Sequence, residues 1–454
     1  MSSKFDFKSK RSTRQPGGGR GVLGRSGSAE GSAVRRIRKH SPDFKMVGYV
    51  SLLVVIGLII IFAIGPQRAN QMNSLAGADV YSNMYFVIRQ SISVLIAAVA
   101  FWLTATFLNF DLLKRWYKQI LIIGLSLSAL LLLLGNVLGV ESVAQCALGA
   151  CRWFVIPGFG NFQPSEALKI AIIIYLAVFL SIKMKKGEVN DINTTIIPVM
   201  LVLGVASFFV IFAQKDLGTG VAIVSIIAAM LVMSGVSWRI LGAIGGILLA
   251  GAVLMIVSAP HRIERVATFF QGDEASISDD GYHITHAKIA IGSGGLFGVG
   301  VGNSVQATGY VPEAINDSII AILGETFGFV GLMVIIGFFM LLLLRLLKIM
   351  DHVLDDGHKL VVAGVFGWIS AHVVINIAAM TGLMPLTGIT LPFLSYGGSS
   401  MLFVAAALGM VFYISRFTTH NVSSVKTGGH HESSRSRGRV RRTRHASSSS
   451  RRRG

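Results

Sequence analysis

The chain has 454 residues and a mean hydropathy of +0.65, and only 14% of its residues are charged. This composition excludes an ordinary soluble globular domain and indicates a protein with many membrane spans. The formal net charge of +19 belongs almost entirely to the two ends, because residues 1–48 and 417–454 each carry a net charge of +9.

The two terminal tails, residues 1–46 and 417–454, are rich in Ser, Gly and Arg. Such segments bury little apolar surface, so we predict that both tails are disordered. Their positive charge is typical of a positive-inside topology signal that also attracts anionic lipid. Nucleic-acid binding is the alternative, and it is disfavoured because neither interleaved aromatic residues nor a folded module accompanies the basic residues.

Between the tails, residues 47–416 contain apolar runs that are long enough to span a bilayer as helices. The predicted spans are 47–65, 85–108, 119–139, 164–183, 195–213, 218–236, 239–258, 317–347, 360–381 and 398–416. The eighth run is too long for one straight perpendicular helix, so part of it should tilt or leave the membrane. The predicted fold class is an all-α polytopic membrane bundle of about ten helices, with a large extracytoplasmic loop between helices 7 and 8.

The loop charges predict the topology. With both tails inside the cell, the inner loops receive 11 Lys and Arg residues and the outer loops receive 6. This bias supports cytoplasmic termini and an even number of spans, and it places the polar stretch 261–295 outside. Cys146 and Cys151 fall in the outer loop between spans three and four. That compartment permits a disulfide, but the spacing alone leaves the pairing undecided.

Charged residues at bilayer depth are costly and therefore suggest function. Arg89 lies near the outer start of span two, where its side chain could simply extend to the interface. Glu166 and Lys169 are three residues apart in QPSEALKI, behind Pro164, so on a helix they share a face and can pair. The pair could fix the fold, line a polar cavity, or do both. Asp216 in FAQKDLGTG suits a helix start, where an acid complements the helix dipole.

Span eight and the loop before it carry further polar residues. Asp317 and Glu325 lie about two turns apart on one helix face, and the deeper Glu325 needs a partner.

The glycine run GSGGLFGVGVGNS lacks a surrounding βαβ unit, which argues against a dinucleotide site. His283 and His286 could share a helix face, but no His/Cys cluster has the spacing of zinc ligands. The carboxylate-rich loop leaves a divalent cation, Mg²⁺ or Mn²⁺, open.

Four segments form an ordered set of motifs: FQPSEALKIAIIIYLA, QKDLGTG, GYHITHAKIAIGSGGLFGVGVGNSVQATGYVPEAINDSIIAILGE and MPLTGITLPFLSYGGSS. Together they resemble the SEDS family of bacterial cell-wall polymerases, which includes FtsW, RodA and SpoVE, over most of residues 49–416. The resemblance implies a ten-helix glycosyltransferase that polymerises lipid II, a disaccharide-peptide on undecaprenyl pyrophosphate, into glycan strands. It also implies a class B penicillin-binding protein as partner, which crosslinks the strands. GVGNSVQATGYVPEA is more similar to the FtsW branch, which implies division proteins as partners and the septal cytoplasmic membrane as location.

The chain departs from the family pattern at several positions. Lys215 stands where the family usually has proline before the aspartate of the second motif. Ile315 and Asn316 replace the usual His-Thr before Asp317, and Thr326 replaces the second acid of the usual Glu-Glu pair.

The catalytic loop also departs from the pattern. The resemblance implies a key aspartate several residues before a Gly-Tyr pair, here residues 281–282. Gap-free counting lands on Ala275 or Ser276, so the loop is about one residue longer here. The nearest acids are Asp273, which we favour, and Glu274. Two other acids abut the Gly-Tyr pair and are disfavoured: Asp279 and Asp280.

The implied reaction needs a carboxylate to take the proton of an acceptor hydroxyl, and cations to receive the leaving pyrophosphate. The candidate substrate-binding residues are Arg89, Arg152, Glu166, Lys169, Asp216, Arg262, Arg265, Tyr282, Lys288, Gln306, Asp317, Ser395 and Ser399. Two other function classes stay open. A lipid II flippase or transporter would use mid-membrane charges rather than the loop acids, and a non-catalytic division scaffold would need only the tails and a helix face.

Overall fold

The computed structural model describes residues 41–140, 142–147, 150–156, 160–257, 263 and 279–418. The predicted tails lie almost entirely outside these residues. The α-helices of the described part are α1 (Phe44–Ala76), α2 (Tyr85–Phe107), α3 (Phe110–Leu131), α4 (Pro164–Lys186), α5 (Ile197–Ser207), α6 (Leu217–Ser234), α7 (Trp238–Val257), α8 (Asp279–Ser293), α9 (Ile319–His352), α10 (Asp356–Met380) and α11 (Gly398–Ile414).

The helices confirm the predicted class of polytopic membrane protein. Within the described residues, nine helical segments are long and apolar enough to cross a membrane, and they coincide with predicted spans one to six and eight to ten. The seventh predicted span coincides with α7, whose apolar stretch Trp238–Leu254 is shorter. α8 lies within the loop predicted between spans seven and eight. Part of that polar loop is therefore helical.

Two of the spans contain π-helical turns, which are rare and frequently mark functional regions. α3 continues into the π-helical turn Leu132–Val137, while α5 is preceded by Ile192–Ile196 and followed by Phe208–Ala213. The turns at 132–137 and 208–213 contact each other, and the first also contacts the strands described next.

The loop between α3 and α4 holds a small antiparallel sheet, a local addition to the predicted all-α fold. Its strands are β1 (Ala144–Ala147), β2 (Ala150–Ile156) and β3 (Gly160–Phe162), in the order β1-β2-β3. Cys146 faces Cys151 across the β1–β2 ladder, and the two form a disulfide. The structure thereby decides the pairing that the spacing of the cysteines left open.

The core of the bundle is formed around α10, which packs against α4, α6 and α9. In its most apolar window 78% of α10 is buried inside the protein, against 17% for α2. α10 is thus a central helix, whereas α2 presents most of its surface to the surroundings and packs along α11. The polar side chains that α10 carries inward therefore occupy the centre of the molecule.

The long eighth span is interrupted at Gly328, whose backbone (φ 67°, ψ −170°) is not helical. Four backbone hydrogen bonds join residues 325–330 to the glycine run: Val299 N to Glu325 O, Gly300 N to Thr326 O, Phe329 N to Gly295 O and Val330 N to Leu296 O. The backbone groups freed by the break are satisfied in this way, as burial in a membrane protein requires. A Cβ on Gly298 would lie 2.2 Å from Thr326 O, so the approach requires glycine.

Candidate functional site

Gln163, the residue before α4, connects three of the four motifs. Its Nε2 donates to Asp216 Oδ2 at 3.1 Å, and its backbone N–H donates to Ser399 Oγ at 3.3 Å. Asp216 caps α6 as predicted, because its Oδ1 accepts from Thr219 N at 2.9 Å and its Oδ2 from Thr219 Oγ1 at 2.8 Å. Ser399 donates in turn to the carbonyl of Asn161. The N-terminal ends of α4, α6 and α11 are therefore fixed against one another.

One face of α10 holds the third motif against the fourth. His372 and Asn376 lie one turn apart on that face. Asn376 Nδ2 donates to Asp317 O and to Ile389 O, both at 2.7 Å. His372 Nδ1 lies 3.1 Å from Thr390 O. Through these contacts α10 joins the third motif to the fourth, so all four motifs meet around the same end of the bundle.

The predicted pairing of Glu166 with Lys169 is confirmed. Lys169 Nζ lies 2.8 Å from Glu166 Oε1, and the two side chains are only 0% and 4% exposed. Nζ also lies 3.3 Å from His372 Nε2 and 4.5 Å from the centroid of the Trp368 ring. Trp368 Nε1 donates to His372 Nε2 at 3.2 Å. This network assigns the His372 proton to Nδ1, which faces Thr390 O.

The two histidines of α8 share a helix face, as predicted, and both contact the segment that leads into α9. His283 Nε2 lies 2.5 Å from Ser318 Oγ, and His286 Nδ1 lies 3.0 Å from Gln306 Oε1. The ring of Tyr282, which is 39% exposed, lies 4.1 Å from that of His286. Tyr282 and Gln306, both predicted to bind substrate, are therefore brought together by His286.

Asp317 is a half-buried carboxyl just before α9. Burial raises its pKa to about 7, and the nearby Glu313 carboxylate adds to the shift. A carboxyl that titrates near neutral pH is suited to proton transfer or to charge-dependent binding.

Glu325, the deeper of the two acids, finds its partner in the backbone rather than in a cation. Its carboxylate accepts from the hydroxyl of Ser304, from Val305 N at 3.0 Å and from Gln306 N at 3.3 Å. These bonds hold the loop that carries Gln306. Hydrogen bonds from several donors stabilise a buried carboxylate, so Glu325 has a structural role at this position.

The predicted cations differ in their surroundings. Arg89 is exposed, with its guanidinium 5.4 Å from the centroid of the Tyr85 ring. Lys288 is exposed on α8 and reaches the loop after α10, where a Cβ on Gly382 would lie 2.5 Å from its Cε. Arg152 donates to two backbone carbonyls of the turn before Asp216. Arg89 and Lys288 remain candidates for an anionic ligand, while Arg152 is committed to the backbone.

Ser395 is buried, and its Oγ accepts from Leu391 N at 2.8 Å, which closes a turn within the fourth motif. The predicted residues Arg262, Arg265, Asp273 and Glu274 lie outside the described residues, and only the backbone is described for Asp279 and Asp280. In the described part of the chain, no three His, Cys, Asp or Glu side chains are grouped in a way that could hold a metal ion.

Sequence reasoning missed the central role of α10. Trp368, His372 and Asn376 are spaced four residues apart in GWISAHVVINIAAM, and two of them are polar residues inside an apolar span. Such residues usually face the interior of a helix bundle and pair there. That signal was available from the sequence.

Comparison with known proteins gives consistent matches. The family model FTSW_RODA_SPOVE, described as "Cell cycle protein", matches residues 44–420. Stage V sporulation protein E of Bacillus subtilis is 33% identical over 84% of this chain and 99% of the relative. A protein of Trichlorobacter lovleyi named probable peptidoglycan glycosyltransferase FtsW is 32% identical over 82% of this chain and 94% of the relative.

Solved structures share the fold. A chain from a structure that concerns coordination of polymerization and crosslinking by a peptidoglycan synthase complex aligns with a TM-score of 0.63 at 23% identity, covering 83% of this chain and 98% of that one. The rod shape determining protein RodA of Thermus thermophilus aligns with a TM-score of 0.55 at 23% identity, covering 84% and 98%. The helix bundle described above is therefore an arrangement seen in experimental structures.

Proposed function

The chain belongs to the FtsW/RodA/SpoVE family, and from this premise we propose that it is a peptidoglycan glycosyltransferase that polymerises lipid II into glycan strands. The observation that carries the proposal is that relatives named "Probable peptidoglycan glycosyltransferase FtsW" are 30–33% identical over 81–85% of this chain. The meeting of the four motifs around one end of the bundle supports it, because it gives the shared residues a common site.

The reaction takes place at the outer face of the bacterial cytoplasmic membrane during division, with both termini inside the cell. The asymmetry of the loop charges supports this orientation. The similarity to FtsW supports the septal location. A class B penicillin-binding protein is the proposed partner, supported by the likeness of the fold to a chain of a peptidoglycan synthase complex. Anionic lipid is the proposed ligand of the two basic tails.

In the proposed mechanism the acceptor hydroxyl oxygen forms a bond to the anomeric carbon of the donor sugar. The bond from that carbon to the pyrophosphate breaks, with inversion, and the hydroxyl proton passes to a carboxylate. Asp273 is the proposed base, and Glu274 is the alternative. Positively charged side chains near the pyrophosphate stabilise it as it leaves, because negative charge develops on its oxygens.

The described residues contribute binding and positioning. Arg89 and Lys288 are exposed cations that can meet the pyrophosphate, together with Arg262 and Arg265. Tyr282 and Gln306 contact His286, and Asp317 directly precedes Ser318, whose hydroxyl contacts His283. These three residues are the proposed contacts to the sugar-peptide end of the substrate. Asp216 and Ser399 support the same site through contacts between motifs. Glu166, Lys169 and Ser395 support it through contacts within their own motifs.

The test is growth of glycan chains from labelled lipid II by the purified protein, with its transpeptidase partner in every reaction. Asp273→Asn should lower the rate by about 10²-fold or more, because the amide is nearly isosteric but cannot accept the proton. Glu274→Gln should have a smaller effect. Asp279→Asn and Asp280→Asn are matched controls in the same loop and should have mild effects.

Each outcome of this test separates the hypotheses. Loss of activity in Glu274→Gln but not in Asp273→Asn would identify Glu274 as the base. Activity in all four variants would contradict a loop base and make Asp216 and Asp317 the next candidates. A wild-type protein that moves lipid II across vesicle membranes without polymerising it would favour the flippase.

A further inference from the structure

Arg152 links the small sheet to the turn that precedes Asp216. Its Nε donates to Gln214 O at 3.0 Å, and its Nη2 donates to Lys215 O at 2.9 Å. One planar guanidinium thus holds two successive carbonyls, which the single ammonium of lysine reproduces poorly. Gln214 ends the π-helical turn Phe208–Ala213, and a cation is favourable where helical carbonyls lose their partners.

The turn itself has an unusual backbone. Lys215 lies in the left-handed region, with φ of +50°. Helices that end in this conformation usually have glycine at this position, because a Cβ disfavours it. Proline, which the family resemblance leads us to expect here, has φ fixed near about −65° and cannot form this turn. The chain therefore holds its second motif with a turn that needs an external constraint.

The strand that carries Arg152 is well placed to provide that constraint. Its neighbour Cys151 is joined by the disulfide to Cys146 on β1. Cys151 is only 4% exposed, and a Cβ on Gly135, in the π-helical turn after α3, would lie 2.7 Å from Cys151 Cβ. The hairpin is thus closed covalently and packed directly on the end of α3. The Arg152 guanidinium therefore reaches the turn from a strand whose position is fixed.

The turn sets the position of the Asp216 carboxylate. Asp216 follows Lys215 directly, caps α6 through Thr219, and accepts from Gln163 Nε2 at 3.1 Å. Gln163 precedes α4, the helix that carries Glu166 in its first turn. A change in the turn would therefore shift the contact that fixes α4 against α6.

Resting on the proposed function, we propose that Arg152 is a positioning residue for glycan polymerisation. It holds the left-handed turn at Lys215, and the turn sets Asp216 against Gln163. The disulfide-closed hairpin provides the platform from which Arg152 acts. This role differs from direct binding of pyrophosphate by Arg152, because both of its hydrogen bonds go to backbone carbonyls.

The test combines Arg152→Ala with Lys215→Gly in the full-length protein, assayed on lipid II with the transpeptidase partner. Arg152→Ala should lower kcat by about 10- to 100-fold, as expected for a shift of about 1 Å at a reaction site. The KM for lipid II should stay within about threefold, because no substrate contact is lost. Lys215→Gly alone should be nearly neutral. The double variant should recover most of the lost kcat, since glycine adopts a positive φ without the guanidinium.

Two controls accompany these variants. Arg115→Ala removes an exposed arginine of α3 and should leave kcat unchanged. Arg152→Lys keeps the charge but not the paired donors, so it should show an intermediate loss; it also replaces Arg152→Ala if that variant does not fold. Cys146→Ser combined with Cys151→Ser should lower kcat in the same direction but less, because the hairpin packing on α3 remains.

Two kinetic results would overturn the proposal: a wild-type kcat in Arg152→Ala, or a double variant as slow as Arg152→Ala. A raised KM without rescue by Lys215→Gly would instead indicate direct substrate binding by Arg152.

Hydrogen exchange of the amides of residues 214–219 tests the turn without any activity. It should accelerate in Arg152→Ala and return towards wild type in the double variant, and unchanged exchange would also overturn the proposal. If the wild-type protein does not polymerise lipid II, the proposed function fails, and the exchange measurement still decides the role of Arg152.

Discussion

Replacing Lys169 with methionine should destabilise the protein more than replacing Lys169 and Glu166 together. The two charges are separated by 2.8 Å between Nζ and Oε1, and both side chains are almost completely buried. Lys169→Met leaves the Glu166 carboxylate without its cation in the centre of the bundle. Glu166→Gln is milder, because Lys169 keeps an amide oxygen as acceptor in addition to His372 Nε2 and the Trp368 ring.

The expected magnitudes follow from the geometry. At 2.8 Å the attraction between two unit charges is ~6 kcal/mol for an effective dielectric constant of about 20. Burying each ion costs several kcal/mol, so the intact pair contributes little net stability. Removing one partner leaves the other ion buried without the attraction that offset its desolvation. We therefore expect Lys169→Met to lower the free energy of unfolding by ~3–5 kcal/mol. The Glu166→Gln/Lys169→Met double variant contains no buried charge at this site and should lose clearly less.

The measurement is the free energy of unfolding in mixed micelles, from denaturing-detergent titrations of wild type, both single variants and the double variant. A second pair, at the opposite end of α4, provides the control. Lys183 and Glu188 are 2.7 Å apart, but the Glu188 side chain is 41% exposed, so Lys183→Met and Glu188→Gln should show little coupling. Additive losses at Glu166 and Lys169, or a harmless Lys169→Met, would refute the reasoning.

Three further predictions concern topology, pH dependence and the glycine run. Reporters at Ser276 and Ser433 should label opposite sides of the membrane, and labelling on one side would contradict the ten-span topology. The pKa of Asp317 is raised from 3.8 to about 7, so its contribution to stability is complete below about pH 4 and is lost as the pH rises through about 7. The unfolding midpoint of the wild-type protein should therefore fall as the pH rises from about 4 to about 7, and Asp317→Asn should reduce this fall. The same pH dependence in the variant and the wild type would contradict the raised pKa. Gly298→Ala should prevent folding, because its Cβ would lie 2.2 Å from a backbone carbonyl. Gly302→Ala has a similar positive φ but open space around the Cβ, so it should give folded protein. Equal yields of the two variants in expression and size-exclusion chromatography would argue against the close approach.

Local rules correctly predicted several structural features around the candidate site. Pro164 occupies the first turn of α4, and Asp216 caps α6, because both preferences depend only on neighbouring backbone. The pairing of Glu166 with Lys169 follows from helical periodicity alone. Hydropathy located the spans for a similar reason, since the length of an apolar run is a local property.

Contacts between distant elements were beyond such rules. Arg152 was assigned to an anionic substrate because it is a cation in a polar loop, and charge alone cannot reveal that its partners are the carbonyls of Gln214 and Lys215. The contact of His372 with Thr390 depends on the packing of α10 against the fourth motif. Both cases require the relative placement of segments that lie 18 or more residues apart in the chain.

The glycine run shows how a local pattern can indicate the wrong kind of site. Glycines at close spacing permit a backbone to approach a phosphate, but they equally permit it to approach another backbone. Here they let residues 295–300 pair with the interrupted α9, and the interruption at Gly328 would otherwise leave buried carbonyls and amides without partners.

Glu325 links this backbone pairing to the candidate site, because its backbone and its side chain make different contacts. The carbonyl of Glu325 accepts from the glycine run, and its carboxylate holds the amides of Val305 and Gln306. Gln306 is bonded to His286 on α8, the helix that follows the proposed catalytic acids in the chain. The break in α9 and the position of α8 are therefore connected through Glu325 and Gln306, so Glu325 can influence the geometry of polymerisation without a substrate contact of its own.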